Sequence, residues 1–156
     1  MDHEFFMNMA IDEAQKAALE DEVPVGAVLT DETGQVIAAA HNRTISLCDP
    51  TAHAEILALR QAAKSMNNYR LPGVFIYTTI EPCMMCMAAM VHARVSLLVF
   101  GARDTKWGAA GSLYNFCADS RLNHRISVIS GVCENECRDM ITDFFRAKRR
   151  KTIANG

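Results

Sequence analysis

Two short segments constrain this chain more than anything else in it: His53-Ala54-Glu55 and Pro82-Cys83-Met84-Met85-Cys86. Together they offer one imidazole and two thiols as zinc ligands, and beside them a carboxylate that the metal does not need. Three protein ligands leave a tetrahedral zinc one open position, the arrangement that activates a water rather than stapling a fold. Any fold that uses both segments must bring two distant stretches of chain to one point.

The chemistry explains the residue types. Cys83 and Cys86, three apart in a first helical turn, can point at one ion, and both the helix N-terminus and the cation favour their thiolate forms. His53 stands near the start of the preceding helix, so two helix N-termini can converge. Two thiolates and a neutral imidazole cancel the charge of the ion. A bound water is then acidified less than three imidazoles would allow, and a nearby base becomes important. Glu55 is that base. Replacing an aromatic C–NH2 by C=O needs hydroxide at the ring carbon, a proton on the neighbouring ring nitrogen and a proton on the departing ammonia, and one carboxylate can serve all three. The arrangement carries a geometric demand. Residues i and i+2 of an ideal helix diverge by ~200°, so His53 and Glu55 reach one site only if the helix begins end-on to it. The alternatives are a closed zinc knuckle, with Cys48, Cys117, His41, His92 or His124 as fourth ligand, and a thioredoxin-like redox pair at Cys83-x-x-Cys86.

A chain of 156 residues, 50% hydrophobic, fits a single domain over residues 1–156 with one sizeable core. No apolar run reaches the ~18 residues of a membrane span, and Met1-Asp2-His3-Glu4 is no signal-peptide start, so a cytoplasmic protein without membrane association is expected. The remaining cysteines, Cys48, Cys117, Cys133 and Cys137, then read as thiols rather than disulfides. Net charge is −2, but its distribution is uneven. Acid loads the N-terminal fifth. Arg146, Lys148, Arg149, Arg150 and Lys151 load the other end, a patch able to follow phosphates, or simply cations favoured by a helix C-terminus.

The apolar pattern gives the order α-β-β-α-β-α-β-β-α. Residues 4–20 form an amphipathic helix. Pro24 to Thr30 and Gln35 to Ala40 flank the turn sequence Asp31-Glu32-Thr33-Gly34 as a hairpin. A second helix starts near Pro50-Thr51, and Val74 to Thr79 is a strand. A third helix has Pro82 in its first turn and runs to about Arg94. Val95 to Phe100 is a strand closed by Gly101, and Arg125 to Ser130 is the last strand. A final helix carries Met140, Ile141, Phe144 and Phe145 on one face and ends in the basic residues, with Thr152 to Gly156 frayed. Strands joined through helices predict an α/β fold: a mixed, mainly parallel sheet with helices on both faces. Cys83 and Cys86 then lie just past a strand's C-terminal end, where open α/β sheets place their ligands.

The resemblance extends beyond His-x-Glu and Pro-Cys-x-x-Cys, which together form the zinc nucleobase-deaminase signature. Glu22-Val23-Pro24-Val25-Gly26-Ala27-Val28, His41-Asn42-Arg43, Asp49-Pro50-Thr51-Ala52-His53-Ala54-Glu55-Ile56, Asn68-Tyr69-Arg70-Leu71 and Gly101-Ala102-Arg103-Asp104 resemble blocks of the bacterial tRNA-specific adenosine deaminases. So do Gly108-Ala109-Ala110-Gly111-Ser112, Asn123-His124-Arg125 and Asp143-Phe144-Phe145-Arg146. The resemblance implies a three-layer α/β/α cytidine-deaminase-like fold on a five-stranded sheet. It also implies a homodimer that converts the wobble adenosine of a tRNA anticodon loop to inosine. Zinc, one ion per subunit, would rest on His53, Cys83 and Cys86, with Glu55 as proton shuttle. Asn42 and the Ala54 backbone N–H would contact the nucleoside. Asp104 and Lys106 would lie along the anticodon-loop path, and Arg146, Lys148, Arg149 and Arg150 would contact RNA phosphates. Trp107 departs from the family pattern, which commonly has a smaller residue there. The competing functions are a free-base or nucleoside deaminase of the same fold, acting on guanine or cytosine, and a non-catalytic zinc-stabilised RNA-binding module.

Overall fold

Five short apolar runs become the strands of one mixed sheet in the computed structural model, which describes residues 1–155. The chain runs α1 (His3–Leu19), β1 (Gly26–Thr30), β2 (Val36–His41), α2 (Ala54–Met66), β3 (Phe75–Ile80), α3 (Met84–Ala93), β4 (Leu97–Ala102), β5 (Ser127–Ser130) and α4 (Glu134–Asn155). The strand order is β2-β1-β3-β4-β5. β1 pairs antiparallel with both β2 and β3, while β3, β4 and β5 are parallel. The sheet is therefore less parallel than expected. The crossover through α2 does return β3 in the direction of β2, but β1, turned back by the hairpin, lies between them.

Alternation along the strands sends side chains into two separate cores. Ala27, Leu29, Ile76, Leu98 and Phe100 meet Ala58, Leu59, Met87 and Met90 of α2 and α3 on one face. Val28, Tyr77 and Val99 meet Phe6, Met7, Ala10 and Cys137 of α1 and α4 on the other. The result is the three-layer α/β/α arrangement, with helices on both faces. Met87 and Met90 are wholly buried core residues rather than an exposed methionine surface.

Several boundaries differ from expectation, each for a local reason. Pro50-Thr51 does not open α2, which starts at Ala54; Asp49 instead caps a turn by accepting hydrogen bonds from the Thr51 N–H and hydroxyl at 2.8 and 2.7 Å. Pro82 precedes α3, whose N-cap is Cys83. Gly101 lies inside β4, where α4 packs so closely that a Cβ would stand 2.4 Å from Cys137 Sγ. Residues 152–155, expected to fray, continue α4, and Gly156 lies outside the described residues.

The sheet orientation collects the functional segments at one edge. The C-terminal ends of β2, β3 and β4 and the N-terminal end of β1 coincide, as the pairs Gly26↔His41, Ala27↔Thr78 and Ile80↔Ala102 require. At this edge Gly26 lets α1 touch the sheet: a Cβ would stand 1.9 Å from the Ala10 carbonyl oxygen and 2.6 Å from the Ala14 nitrogen. Both neighbours are helix backbone and cannot rotate away. Gly26→Ala should therefore cost about 1–3 kcal/mol or more of unfolding free energy, read as a lower midpoint of urea unfolding at unchanged slope.

Candidate active site and metal centre

His53 and Cys83 occupy equivalent places, each the N-cap of a helix with extended backbone (φ −72°, ψ 152° and φ −73°, ψ 174°). An N-cap side chain normally accepts a hydrogen bond from its own helix, worth about 1 kcal/mol. Neither does so here; both turn towards each other instead. His53 Nδ1 lies 3.7 Å from Cys83 Sγ and 3.6 Å from Cys86 Sγ, and the three donor atoms fall within 4.8 Å of one another. A tetrahedron built from zinc–sulfur and zinc–nitrogen bonds of about 2.3 and 2.0–2.1 Å has an S···N edge of about 3.6 Å. The donor set thus fits one tetrahedral metal ion. Among the described residues no further His, Cys, Asp or Glu joins the cluster. None of the other candidates for a closed knuckle, Cys48, Cys117, His41, His92 or His124, belongs to the cluster; His41 instead meets Glu13 and Glu20, and His124 meets the Val95 carbonyl.

The N-cap position of His53 also resolves the angular problem with Glu55. Because His53 precedes the helix, its side chain is not bound to helical spacing, whereas Glu55 projects from the first turn of α2. Glu55 is buried, with Oε1 3.1 Å from the Thr78 hydroxyl and Oε2 3.3 Å from Cys86 Sγ. Burial holds its carboxyl above the ordinary range, as a proton-accepting and proton-donating group requires. Cys83 is drawn down to about 4 by its hydrogen bond from Cys86 and by His53, against the opposing effect of burial. Cys86 moves strongly upward through the same bond to Cys83, its burial and the nearby Glu55 charge. The His53 imidazole is raised by its hydrogen bond with Cys83. A metal cation at the focus reverses the direction for Cys86, since a coordinating thiol is deprotonated outright.

His53, Glu55 and Cys83 line a cavity of about 530 Å³ whose wall also includes Asn42, Ala54, Asp104 and Trp107, with Cys86 buried behind it. Four of the sequence-derived site residues are thus gathered around the focus with two of its ligands. Lys106 is exposed and lies outside that wall, although its N–H is held by Asp104 Oδ1 at 3.0 Å. Arg146, Arg149 and Arg150 are exposed on α4, well separated in sequence from the cavity; Arg146 pairs with Asp143 at 3.8 Å and Lys148 with Asp21 at 3.2 Å. A larger cavity, about 910 Å³, lies between Tyr69-Arg70, the end of α3 and the 116–123 segment, and contains none of the cluster. Size alone would choose that one; the chemistry resides in the smaller.

The same combination of fold and donor set occurs in known proteins. The sequence pattern of the family described as "Cytidine and deoxycytidylate deaminase zinc-binding region" matches residues 1–102. The chain is 46% identical over 148 residues to the tRNA-specific adenosine deaminase of Haemophilus influenzae, covering 95% of this chain and 86% of that protein. A solved structure from studies of A-to-I editing by tRNA deaminases at the wobble position superposes with a TM-score of 0.84 at 45% identity, covering 87% of this chain and 98% of the other. A guanine deaminase from Nitrosomonas europaea gives a TM-score of 0.79 at 25% identity, covering 90% and 83%. The class defined by this fold and site is that of the zinc-dependent cytidine-deaminase superfamily. Within it, the chain belongs to the family of bacterial tRNA-specific adenosine deaminases.

Two buried carboxylates escape sequence reasoning. Glu22 accepts hydrogen bonds from the Ile45 and Ser46 N–H groups at 3.1 and 2.7 Å and from the Ser46 hydroxyl at 2.8 Å, fixing the loop after Asn42. Glu81 accepts from the Asp104, Ala110 and Ser112 N–H groups at 3.2, 3.0 and 3.0 Å and from the Ser112 hydroxyl. The available sequence signal is position: each acid adjoins a functional block, Glu22 before Val23-Pro24 and Glu81 before Pro82-Cys83. Glu22 has its pKa lowered from 4.5, with the hydrogen bonds from Ser46 and Ile45 outweighing the burial that opposes them. Its contribution to stability is therefore full above that unfolded value and is lost as pH falls through the lower folded one. Glu22→Gln should destabilise the chain by about 1.5–3 kcal/mol near neutrality. In denaturant titrations at a series of pH values, that gap should close progressively below about pH 4.5.

Proposed function

We propose that this protein is a hydrolytic deaminase that converts the wobble adenosine of a tRNA anticodon loop to inosine, releasing ammonia. The observation that carries the reaction class is the buried Glu55 carboxylate in contact with a His/Cys/Cys metal focus inside an open cavity. The relatives carry the substrate class. Zinc, one ion per subunit, is the metal that best suits two thiolates and an imidazole; when bound, it supplies Lewis acidity that makes water a nucleophile near neutral pH.

Glu55 does the proton work. As a carboxylate it removes a proton from the attacking water and delivers it to the ring nitrogen beside the amino-bearing carbon. It then passes the second proton to the departing ammonia, so that adenosine and water leave as inosine and ammonia. Thr78 accommodates both of its states. Its single hydroxyl proton can serve Glu55 Oε1 at 3.1 Å or the Ile80 carbonyl at 3.2 Å, leaving the Thr78 oxygen free to accept when Glu55 is protonated. Asn42 and the Ala54 N–H would recognise the nucleoside, with Asp104 and Lys106 beside the anticodon-loop path. An anticodon base already lies in a loop, so splaying it out costs less than extracting it from a duplex.

Arg146, Lys148, Arg149 and Arg150 would contact the RNA phosphates from the last turns of α4. We further propose that the active species is a homodimer. The exposed Tyr69 and the apolar Val91, Phe116 and Leu122 of the larger cavity support such an association. The single-domain reading agrees with one sheet carrying both cores. No described helix is long and apolar enough to cross a membrane.

The free-base alternative draws on the likeness to guanine deaminase, but such an enzyme would have no use for the basic end of α4. A zinc-stabilised binding module would have no use for a buried Glu55. The decisive assay offers the zinc-loaded protein a tRNA with a wobble adenosine beside free adenosine, cytidine and guanine. Inosine should form only in the tRNA, and deamination of a free base alone would refute the reading. Glu55→Gln should lower turnover by about 10²–10⁴-fold while metal content stays at the wild-type level. Replacing Arg146, Arg149 and Arg150 together by Ala should weaken tRNA binding and flatten its dependence on salt by about 0.7–0.9 in log–log slope for each phosphate left without its cation.

A further inference from the structure

One part of the cavity wall has no function in this chemistry. Trp107, the only tryptophan of the chain, lines the cavity yet remains 61% exposed. Among the described residues, no aromatic ring stacks on its indole and no cation lies over it. Its backbone, by contrast, is firmly fixed. The Trp107 N–H is held by Asp104 Oδ1 at 3.2 Å, and the Gly108 N–H by the Asp104 carbonyl at 2.9 Å. Asp104 itself hangs from the buried Glu81 carboxylate, by its N–H at 3.2 Å.

The next residue ties this turn to the metal centre. Gly108 forms an antiparallel bridge with Cys83, which sets the two Cα atoms about 4.5–5.5 Å apart. Ala109 N–H donates to the Pro82 carbonyl at 2.8 Å. No side chain fits at Gly108, where a Cβ would stand 2.4 Å from both the Glu81 carboxyl and the Asp104 carbonyl oxygen. The loop therefore lies flush on Glu81-Pro82-Cys83 and carries a flat apolar ring at the metal end of the cavity. A rigid backbone presenting an uncovered indole is the arrangement that single-stranded RNA readers use for stacking, because every base offers a π-face.

We propose that Trp107 is a specificity-determining platform on which a base adjoining the reacting adenosine stacks, with Glu81 as the positioning residue that fixes the platform. The inference rests on the RNA-deaminase reading above. It gives the enzyme a grip on the flanking nucleotide, a grip that a free nucleoside could not provide.

The test uses the indole as its own reporter, since the chain has no other tryptophan. The zinc-loaded Glu55→Gln protein is titrated with an anticodon stem-loop RNA carrying the wobble adenosine, and with versions abasic at its 5′ or its 3′ neighbour. Fluorescence should be quenched saturably by the intact loop, and the quenching should disappear with one of the abasic loops. In an otherwise wild-type enzyme, Trp107→Ala should raise KM for the stem-loop about 5- to 100-fold with kcat changed little. Trp107→Phe should restore most of that loss. Zinc content and circular dichroism confirm that each variant is folded. A KM for Trp107→Ala within about twofold of the wild type, while the wild type makes inosine normally, overturns the stacking role alone, as does equal quenching by all three loops. A wild-type enzyme that makes no inosine in any RNA overturns the functional reading beneath it.

Discussion

Everything at the active end of this protein depends on two helix N-termini facing each other across a few ångströms. His53 and Cys83 give up the capping bonds their positions normally make and direct their side chains to a common focus. Two aligned N-termini place partial positive charge at that focus, which favours thiolates and disfavours a free cation. Charge balance therefore depends on both sulfurs being ionised, and Cys86, in the first turn of α3, supplies the second one without any loop of its own. The sheet holds the two helices at this distance. α2 and α3 lie on the same face, over Ala27, Leu29, Ile76, Leu98 and Phe100, so the focus inherits the rigidity of the larger core.

Buried acids extend that rigidity into the loops. Glu55, Glu22 and Glu81 all lie at one edge of the sheet, and all are nearly or wholly inaccessible. Their surroundings differ. Glu22 and Glu81 accept hydrogen bonds from several backbone N–H groups and so fix the segments that carry Asn42 and Asp104. Around Glu55, burial outweighs its own backbone N–H, the His53 charge and the Cys86 thiol, and raises its proton affinity. One residue type thus stands in two settings: anchoring loops where several amides converge on it, and held above its ordinary proton affinity where burial dominates.

Much of this was legible in the sequence because its pattern is local. The 3.6- and 2-residue periodicities reveal the element order, and the spacing of His53, Cys83 and Cys86 reveals the metal ligands. What stayed hidden depends on pairing across distance. The insertion of β1 between β2 and β3 follows from sheet assembly, not from any window of residues. The start of α2 depended on whether Asp49 would cap a turn or a helix, and Asp49 caps the turn at Thr51. Glu81 reads as an ordinary acid beside a proline until the 104–112 loop is folded back onto it.

One fold can serve both free bases and RNA because its reactive centre does not measure the size of what it acts on. The metal focus and its glutamate respond only to an aminated aromatic ring, and the likeness to a guanine deaminase shows that the scaffold does not select the substrate's size. Selection must come from groups beyond the reach of a lone base. In this chain the proposed function assigns that part to the loop clamped by Glu81, which carries Trp107 in the cavity wall, and to the exposed cations towards the end of α4. Both are attached to the parallel half of the sheet, the loop directly after β4 and the helix through its packing on β4 and β3. Glu55 and Asn42 come from the other half, on α2 and after β2. The metal-ligand cluster itself spans the two halves, His53 preceding α2 and Cys83 and Cys86 following β3, so the site is complete only where both halves end at one edge of the sheet.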